Sequence, residues 1–193
     1  MSTLYWKNIN HNILNTISGY AVQGEVTAIL GSSGCGKTTL LNTIYDGRNL
    51  QQEVYLNNDY VSKKNISYVF QTEYFMDTLT VYETLEFNCR MRNKIKEDML
   101  SIISNVKFSS LLDQRVRTLS GGEKKRLAIA IELTNDSQVF LLDEPTTSLD
   151  SHLAAEIIDV LHTLKNQCII LCTIHQPSLH TFMSFENVYM MNK

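Results

Sequence analysis

The densest chemistry in the chain lies in eight consecutive residues, Gly31-Ser32-Ser33-Gly34-Cys35-Gly36-Lys37-Thr38. Glycines at this spacing let the backbone curl so that successive N–H groups point inward, a shape that holds phosphate oxygens. Lys37 brings a cation to the β- and γ-phosphates of a nucleotide, and the Thr38 hydroxyl is a ligand for Mg²⁺. A second group follows the apolar run 139–142: Asp143 can hold Mg²⁺, directly or through water, and Glu144 can orient or activate an attacking water. His175, just past another apolar run, can donate a hydrogen bond to a γ-phosphate. Gln71 ends a short apolar segment and gains meaning only from these neighbours. His11 lies upstream of the loop, where its ring either stacks on an adenine or is an exposed turn histidine.

Ser120-Gly121-Gly122-Glu123 is different in kind. Ser120 and Glu123 form a capping box, so a helix starts here, and the glycines leave its backbone N–H groups open to an anion. One nucleotide does not need two phosphate sites in one chain. The second site is therefore expected to face a different molecule.

Elements must hold these groups in place. The run 26–30 is nearly continuously apolar, as in a strand buried on both faces. After the loop, Leu40, Leu41, Ile44 and Tyr45 repeat at helical spacing, with Gly47 suited to the C-cap. Residues 4–9 and 13–18 read as β structure, with a turn at Gln23-Gly24. Residues 53–56 and 66–70 are expected strands, separated by a turn at Asn57-Asn58-Asp59. From 73 to 117 the composition changes. Thr80-Val81-Tyr82-Glu83 is a capping box opening a helix with Val81, Leu85 and Cys89 on one face. The charge run 94–98 reads as a solvated connection, and Met99, Leu100, Ile103 and Val106 suit a second helix. Pro145 ends the strand that carries the two carboxylates, Asp150 caps the next helix, and Ser178 caps a short one. Residues 168–173 and 187–191 complete the strands. The expected fold is α/β: a P-loop NTPase core with a mostly parallel central sheet, an antiparallel β subdomain and a small inserted helical subdomain. Residues 1–72 and 118–193 would form the core, and 73–117 the insert.

Composition bounds the partners. The chain has 193 residues, 44% apolar content and a net charge of −3, as expected of one globular domain. Basic residues are scattered, so no nucleic-acid footprint is expected. The densest basic cluster, Lys124-Lys125-Arg126, reads as a solvated helix face. No apolar run approaches the roughly 18 residues of a membrane span, and no secretory leader is visible. Cys35, Cys89, Cys168 and Cys172 lack metal-ligand spacing and read as reduced thiols of a cytosolic compartment.

Taken together, the motifs resemble the ATP-binding domain of ABC transporters over nearly the whole chain. Residues 31–38 resemble Walker A, Gln71 the Q-loop, 119–123 the signature, 139–144 Walker B, 147–150 the D-loop and His175 the switch histidine. Thr173-Ile174-His175-Gln176-Pro177-Ser178, with Asp77-Thr78-Leu79-Thr80-Val81, looks most like the G subfamily, the White (eye-pigment) type. The resemblance implies ATP and Mg²⁺, with Glu144, His175 and Gln71 catalytic. Nucleotide contacts would come from Gly31, Ser32, Ser33, Gly34, Cys35, Gly36, Lys37, Thr38 and Thr39. Ser120, Gly121 and Gly122 would serve the nucleotide held by another copy, and His11 stands where the family stacks an aromatic ring on adenine. Thr38, Gln71 and Asp143 would hold the metal.

Three departures from the family stand out. The D-loop reads Thr147-Ser148-Leu149-Asp150 rather than Ser-Gly-Leu-Asp, the stacking position holds a histidine, and the stretch from Gln71 to Ser120 is short. The implied partners are a second ATP-binding domain, as a homo- or heterodimer sandwiching ATP, and a membrane domain on a continuing or separate chain. The implied location is the cytoplasmic face of a membrane. The competing readings are a soluble ATPase of the same class without a transport role, and a non-catalytic regulatory domain. Retention of Lys37, Asp143, Glu144 and His175 argues against the second.

Overall fold

The computed structural model describes residues 1–46 and 53–192. The element order is β1 (Thr3–His11), β2 (Leu14–Val22), β3 (Val26–Gly31), α1 (Lys37–Asp46), β4 (Glu53–Leu56), β5 (Asp59–Tyr60) and β6 (Ile66–Val69). There follow α2 (Val81–Met91), α3 (Lys96–Asn105), α4 (Gly121–Leu133), β7 (Val139–Leu142), α5 (Ser151–Leu164), β8 (Ile169–Ile174), α6 (Leu179–Met183) and β9 (Asn187–Met191). The expected cap at Gly47 lies outside the described residues.

The strands form two sheets, one of four strands in the order β2-β1-β4-β5 and one of five in the order β6-β7-β8-β3-β9. All pairings in the first are antiparallel and all in the second are parallel, a purer arrangement than the mostly parallel sheet expected. The parallel sheet is apolar on both faces because helices or strands cover both. Val26, Ala28 and Leu30 of β3, Phe140 and Leu142 of β7, and Ile170, Cys172 and Ile174 of β8 face a core built with α2 to α5. The alternate residues Ile29, Val139, Leu141, Ile169 and Leu171 face a second core, shared with Leu40, Leu41 and Ile44 of α1 and with the antiparallel sheet. The period-two alternation of a strand thus sends each apolar run into two cores at once.

Between β6 and α4 the chain forms α2 and α3, each fixed at its start by a side-chain cap. At the start of α2 the Thr80 hydroxyl accepts from the Glu83 N–H at 3.1 Å, and the Glu83 carboxylate accepts from the Thr80 N–H at 2.8 Å. Val81, Leu85 and Cys89 are buried along one face, as the spacing implies. The charge run is no connection: α3 begins inside it at Lys96, and the Asp98 carboxylate accepts from the Ile95 N–H at 3.1 Å. In α3 the buried positions are Met99, Ile102 and Ile103, whereas Leu100 is 51% exposed. Val106 is buried as the C-cap.

Lys124-Lys125-Arg126 does not form a solvated face. Lys125 and Arg126 are 5% and 9% exposed. Arg126 lies 5.5 Å over the Phe108 ring and 3.7 Å from a Glu156 oxygen. The error is physical: a charge run marks solvent only when no acceptor or aromatic ring is folded against it, and long basic side chains cover apolar surface well. The four cysteines are free and buried. Burial pushes the Cys168 and Cys172 thiols up to about 12.

Phe108 is fully buried in the core shared by insert and sheet. Phe108→Ala should cost about 3–5 kcal/mol. That corresponds to a fall in Tm of roughly 6–20 °C, at about 2–4 °C per kcal/mol. Calorimetry should show one transition moving as a whole. An unchanged main transition would mean that the insert is not part of the common core.

Candidate nucleotide site

The site forms at the carboxyl ends of β3, β8 and β7, where the loops of a parallel sheet leave room for a ligand. Gly36 carries φ +104, and a Cβ there would stand 2.8 Å from Leu14. Only glycine meets both demands, so the turn into α1 depends on it. Beside the loop lies a cavity of about 460 Å³ lined by Ile13, Ser33, Gly34, Gly36, Lys37, Thr38, Thr39, Gln71, Glu144, Thr147 and His175. Five separately read motifs therefore meet in one place.

Lys37 is buried, and its ammonium donates to the Gly31 and Ser32 carbonyls at 2.9 and 3.3 Å. It also stands 3.6 Å from Glu144 Oε1. The other carboxylate oxygen, Oε2, accepts from the Gln71 amide at 3.1 Å and the Thr147 hydroxyl at 2.9 Å. Glu144 itself has φ +49, an uncommon conformation for a residue with a side chain, stabilised here by what surrounds it. Its N–H donates to the Thr173 hydroxyl at 2.8 Å, and that hydroxyl donates onward to Asp143 Oδ1 at 2.7 Å. Thr38 donates to the same oxygen at 3.1 Å. Asp143 is only 3% exposed, so these hydroxyls replace the water it has lost. Burial first, and the Asp143 charge second, raise the Tyr68 phenol above its ordinary value.

Not every expected residue reaches the cavity. His11 does not: β1 runs to His11, which pairs with Leu14 across a tight turn at Asn12 (φ +53) and Ile13. That register puts Ile13, not the imidazole, beside Gly36. Ser32 stays outside and contributes its carbonyl to Lys37. The Cys35 side chain turns away, toward Trp6, Leu40 and Tyr189. Ser120, Gly121 and Gly122 are elsewhere, at the start of α4. The Ser120 hydroxyl accepts from the Glu123 N–H at 3.3 Å, and the Glu123 carboxylate accepts from the Ser120 N–H at 2.7 Å. Gly122 packs so closely on α5 that a Cβ would stand 3.2 Å from Leu153.

Thr173 escaped the sequence reading because it is one polar residue in a buried strand. Its importance follows from β8 lying beside β7, so that its end reaches both residues that follow β7, the Asp143 carboxylate and the Glu144 N–H. A hydroxyl two residues before His175, with no polar neighbour on its own strand to satisfy it, was the available signal.

A family profile described as "ABC transporter" matches residues 14–147, more than half of the chain. The chain belongs to the ABC transporter family. It is an ATPase cassette of that family, built to bind a nucleotide, and is most like the G subfamily. It is 38% identical, over 97% of its length, to ATP-dependent permease PDR11 of Saccharomyces cerevisiae, of which it spans 14%. It is 34% identical, over 93% of its length, to ATP-binding cassette sub-family G member 5 of Mus musculus, of which it spans 30%. The chain thus corresponds to less than a third of either relative. Among solved structures it resembles the ADP conformation of MJ1267, an ATP-binding cassette of an ABC transporter, with a TM-score of 0.82 and 25% identity over 99% of this chain and 87% of that one. It also resembles cbiO1 from Clostridium perfringens, part of the ABC transporter complex cbiONQ, with a TM-score of 0.82 and 27% identity over 98% of this chain and 84% of that one.

Thr173→Val keeps the shape of the side chain but breaks both bonds of the bridge. The expected loss is about 1.5–3 kcal/mol of interaction with charged or strained groups, or about 10–150-fold in kcat if it falls on the reacting state. Thr173→Ser should retain activity. Steady-state ATP hydrolysis with urea melts on both variants checks this, and a Val variant as active as the Ser variant would refute the bridging role.

Proposed function

We propose that this chain is the ATP-driven motor of a transmembrane transporter, working as a pair with a second ATP-binding domain. The observation that carries the reading is a division. Lys37, Thr38, Gln71, Glu144, Thr147 and His175 surround one cavity, while the Ser120-Gly121-Gly122 helix start lies outside it. The first-turn N–H groups of a helix have no acceptor within that helix, and they favour an anion. A second copy, related by a twofold axis, would bring its Ser120 to the γ-phosphate held by this chain's Lys37.

In that site Lys37 would leave the two carbonyls for the β- and γ-phosphates. Ser33, Gly34, Gly36 and Thr39 would surround the phosphates, and Ile13 offers an apolar surface to the base. Mg²⁺ fits the donor set. Among the described residues no group of three or more His, Cys, Asp or Glu side chains forms a metal cage. Mg²⁺ does not require one, because it is commonly bound through one or two carboxylates and substrate phosphates. Thr38 and Asp143, already 3.1 Å apart, would hold it, with Gln71 nearby. The ion would neutralise developing phosphate charge. Glu144 would accept the proton of the attacking water, and His175 would steady the γ-phosphate.

The membrane domain would dock on the Q-loop side. Phe70 and Tyr74, 56% and 92% exposed, line a groove with Phe75, Ala128 and Ile131, and Met76, two residues on, is 61% exposed. Exposed aromatic and methionine side chains clustered at one edge mark an interaction surface. They favour the transport reading over a soluble ATPase, with residues 73–117 forming the coupling face at the cytoplasmic side of a membrane. Among the described residues no helix is long and apolar enough to cross one.

Two outcomes test the reading. Glu144→Gln should bind ATP but lose about 10²–10⁴-fold in turnover, the usual contribution of a general base. It should also accumulate an ATP-dependent dimer in size-exclusion chromatography. Wild-type turnover would rule out the assignment. Lys37→Ala and Ser120→Arg should each be inactive alone. Mixed, random pairing makes roughly half the dimers hybrid and about a quarter of all sites intact, so activity or ATP retention should return toward that fraction. Hybrids shown to form without recovering either would exclude a shared site.

A further inference from the structure

Lys125 is the fifth residue of α4, the helix that begins immediately after Ser120. Its ammonium donates to the Phe70 carbonyl at 3.3 Å and the Gln71 carbonyl at 3.2 Å, and forms an ion pair with the Glu73 carboxylate. The two charged side chains are 7% and 17% exposed, so salt screens the pair weakly. A lysine serving only the helix surface needs neither burial nor two main-chain carbonyls from another segment. The same Gln71 whose main chain is gripped sends its side-chain amide to Glu144 Oε2 at 3.1 Å. A continuous run of contacts therefore leads from Ser120 along α4 to Lys125, across to Gln71 and on to Glu144. On a stiff helix Lys125 stands only about 7 Å from Ser120 along the axis, at about 1.5 Å per residue.

We propose that Lys125, neutralised by Glu73, is a positioning residue for hydrolysis. It makes the main chain at Gln71 move with the helix that begins at Ser120, so the Gln71 amide holds Glu144 in register only when α4 is seated. The inference rests on the shared-site reading: whatever seats on Ser120 is reported to Glu144 through this ammonium. Lys125 touches no reacting atom and acts only through Gln71.

The test is a double-mutant cycle on the purified chain. Lys125→Met with Glu73→Gln removes both charges and so leaves no lone buried ion. ATP affinity, read with a fluorescent ATP analogue, should stay within about twofold, while kcat falls about tenfold, the loss expected for one hydrogen bond to a charged group. In a Gln71→Ala background the same pair should change kcat by less than about twofold, because the group through which Lys125 acts is gone. Equal losses in both backgrounds, or no loss in either, would overturn the proposal. Lys125→Gln serves as a second variant should the pair not fold. Its amide still donates to a carbonyl but carries no charge for Glu73, and the same dependence on Gln71 is expected. Failure of the shared site would appear separately, as absent complementation between Lys37→Ala and Ser120→Arg with the cycle still non-additive.

Discussion

The carboxylate of Asp143 is almost wholly out of water, and a buried charge is tolerated only where other groups replace its hydration. Here the replacements are hydroxyls from two different elements, Thr38 in the first turn of α1 and Thr173 near the end of β8. Strand order makes this possible, since β8 runs between β7 and β3. The Thr173 oxygen also accepts from the Glu144 N–H, so the charge that must be hydrated and the backbone that must be held at φ +49 share one atom. Geometry at the nucleotide cavity follows from that constraint. Glu144 enters at an angle that an ordinary strand end would not give, and its carboxylate then meets Lys37, Gln71 and Thr147.

The two cores share out the mechanical roles. On one face of the parallel sheet, α1 and the antiparallel strands hold the phosphate loop against a rigid backing. On the other, the insert, α4 and α5 form one continuous apolar body. Buried ion contacts cross that body at two neighbouring residues of α4: Arg126 reaches Phe108 and Glu156, and Lys125 reaches the segment after β6. An apolar core alone would permit α4 to slide, because dispersion contacts are not directional. A lysine that donates to two main-chain carbonyls and pairs with a carboxylate is directional, and it ties the helix to the main chain at Gln71.

Much of the site was legible because its signals are local. The phosphate loop, the strand ending in Asp143-Glu144 and the capping boxes at Thr80 and Ser120 each depend on residues within a few positions of one another. The hairpin was legible only in outline. Segments 4–9 and 13–18 implied a turn between them, but one step of register decides whether His11 or Ile13 stands beside Gly36. In α3 the spacing put Leu100 on the apolar face with Met99 and Ile103, whereas the packing exposes Leu100 and buries Ile102, which that reading passed over.

By itself the sequence determined most of the strands and helices, where most of the helices begin, and which side-chain types suit phosphate, proton and metal chemistry. Those properties arise from backbone sterics and hydrogen bonding over a turn or a strand length. Only the tertiary structure decided that Thr38 and Thr173 meet on one oxygen of Asp143, that Lys125 is buried on Gln71, and that the Ser120 helix start lies away from the cavity. Each of these depends on which strand lies next to which, and on which side of α4 meets the sheet. Contacts between residues 30 to 105 positions apart are set by packing of whole faces, which no local pattern encodes.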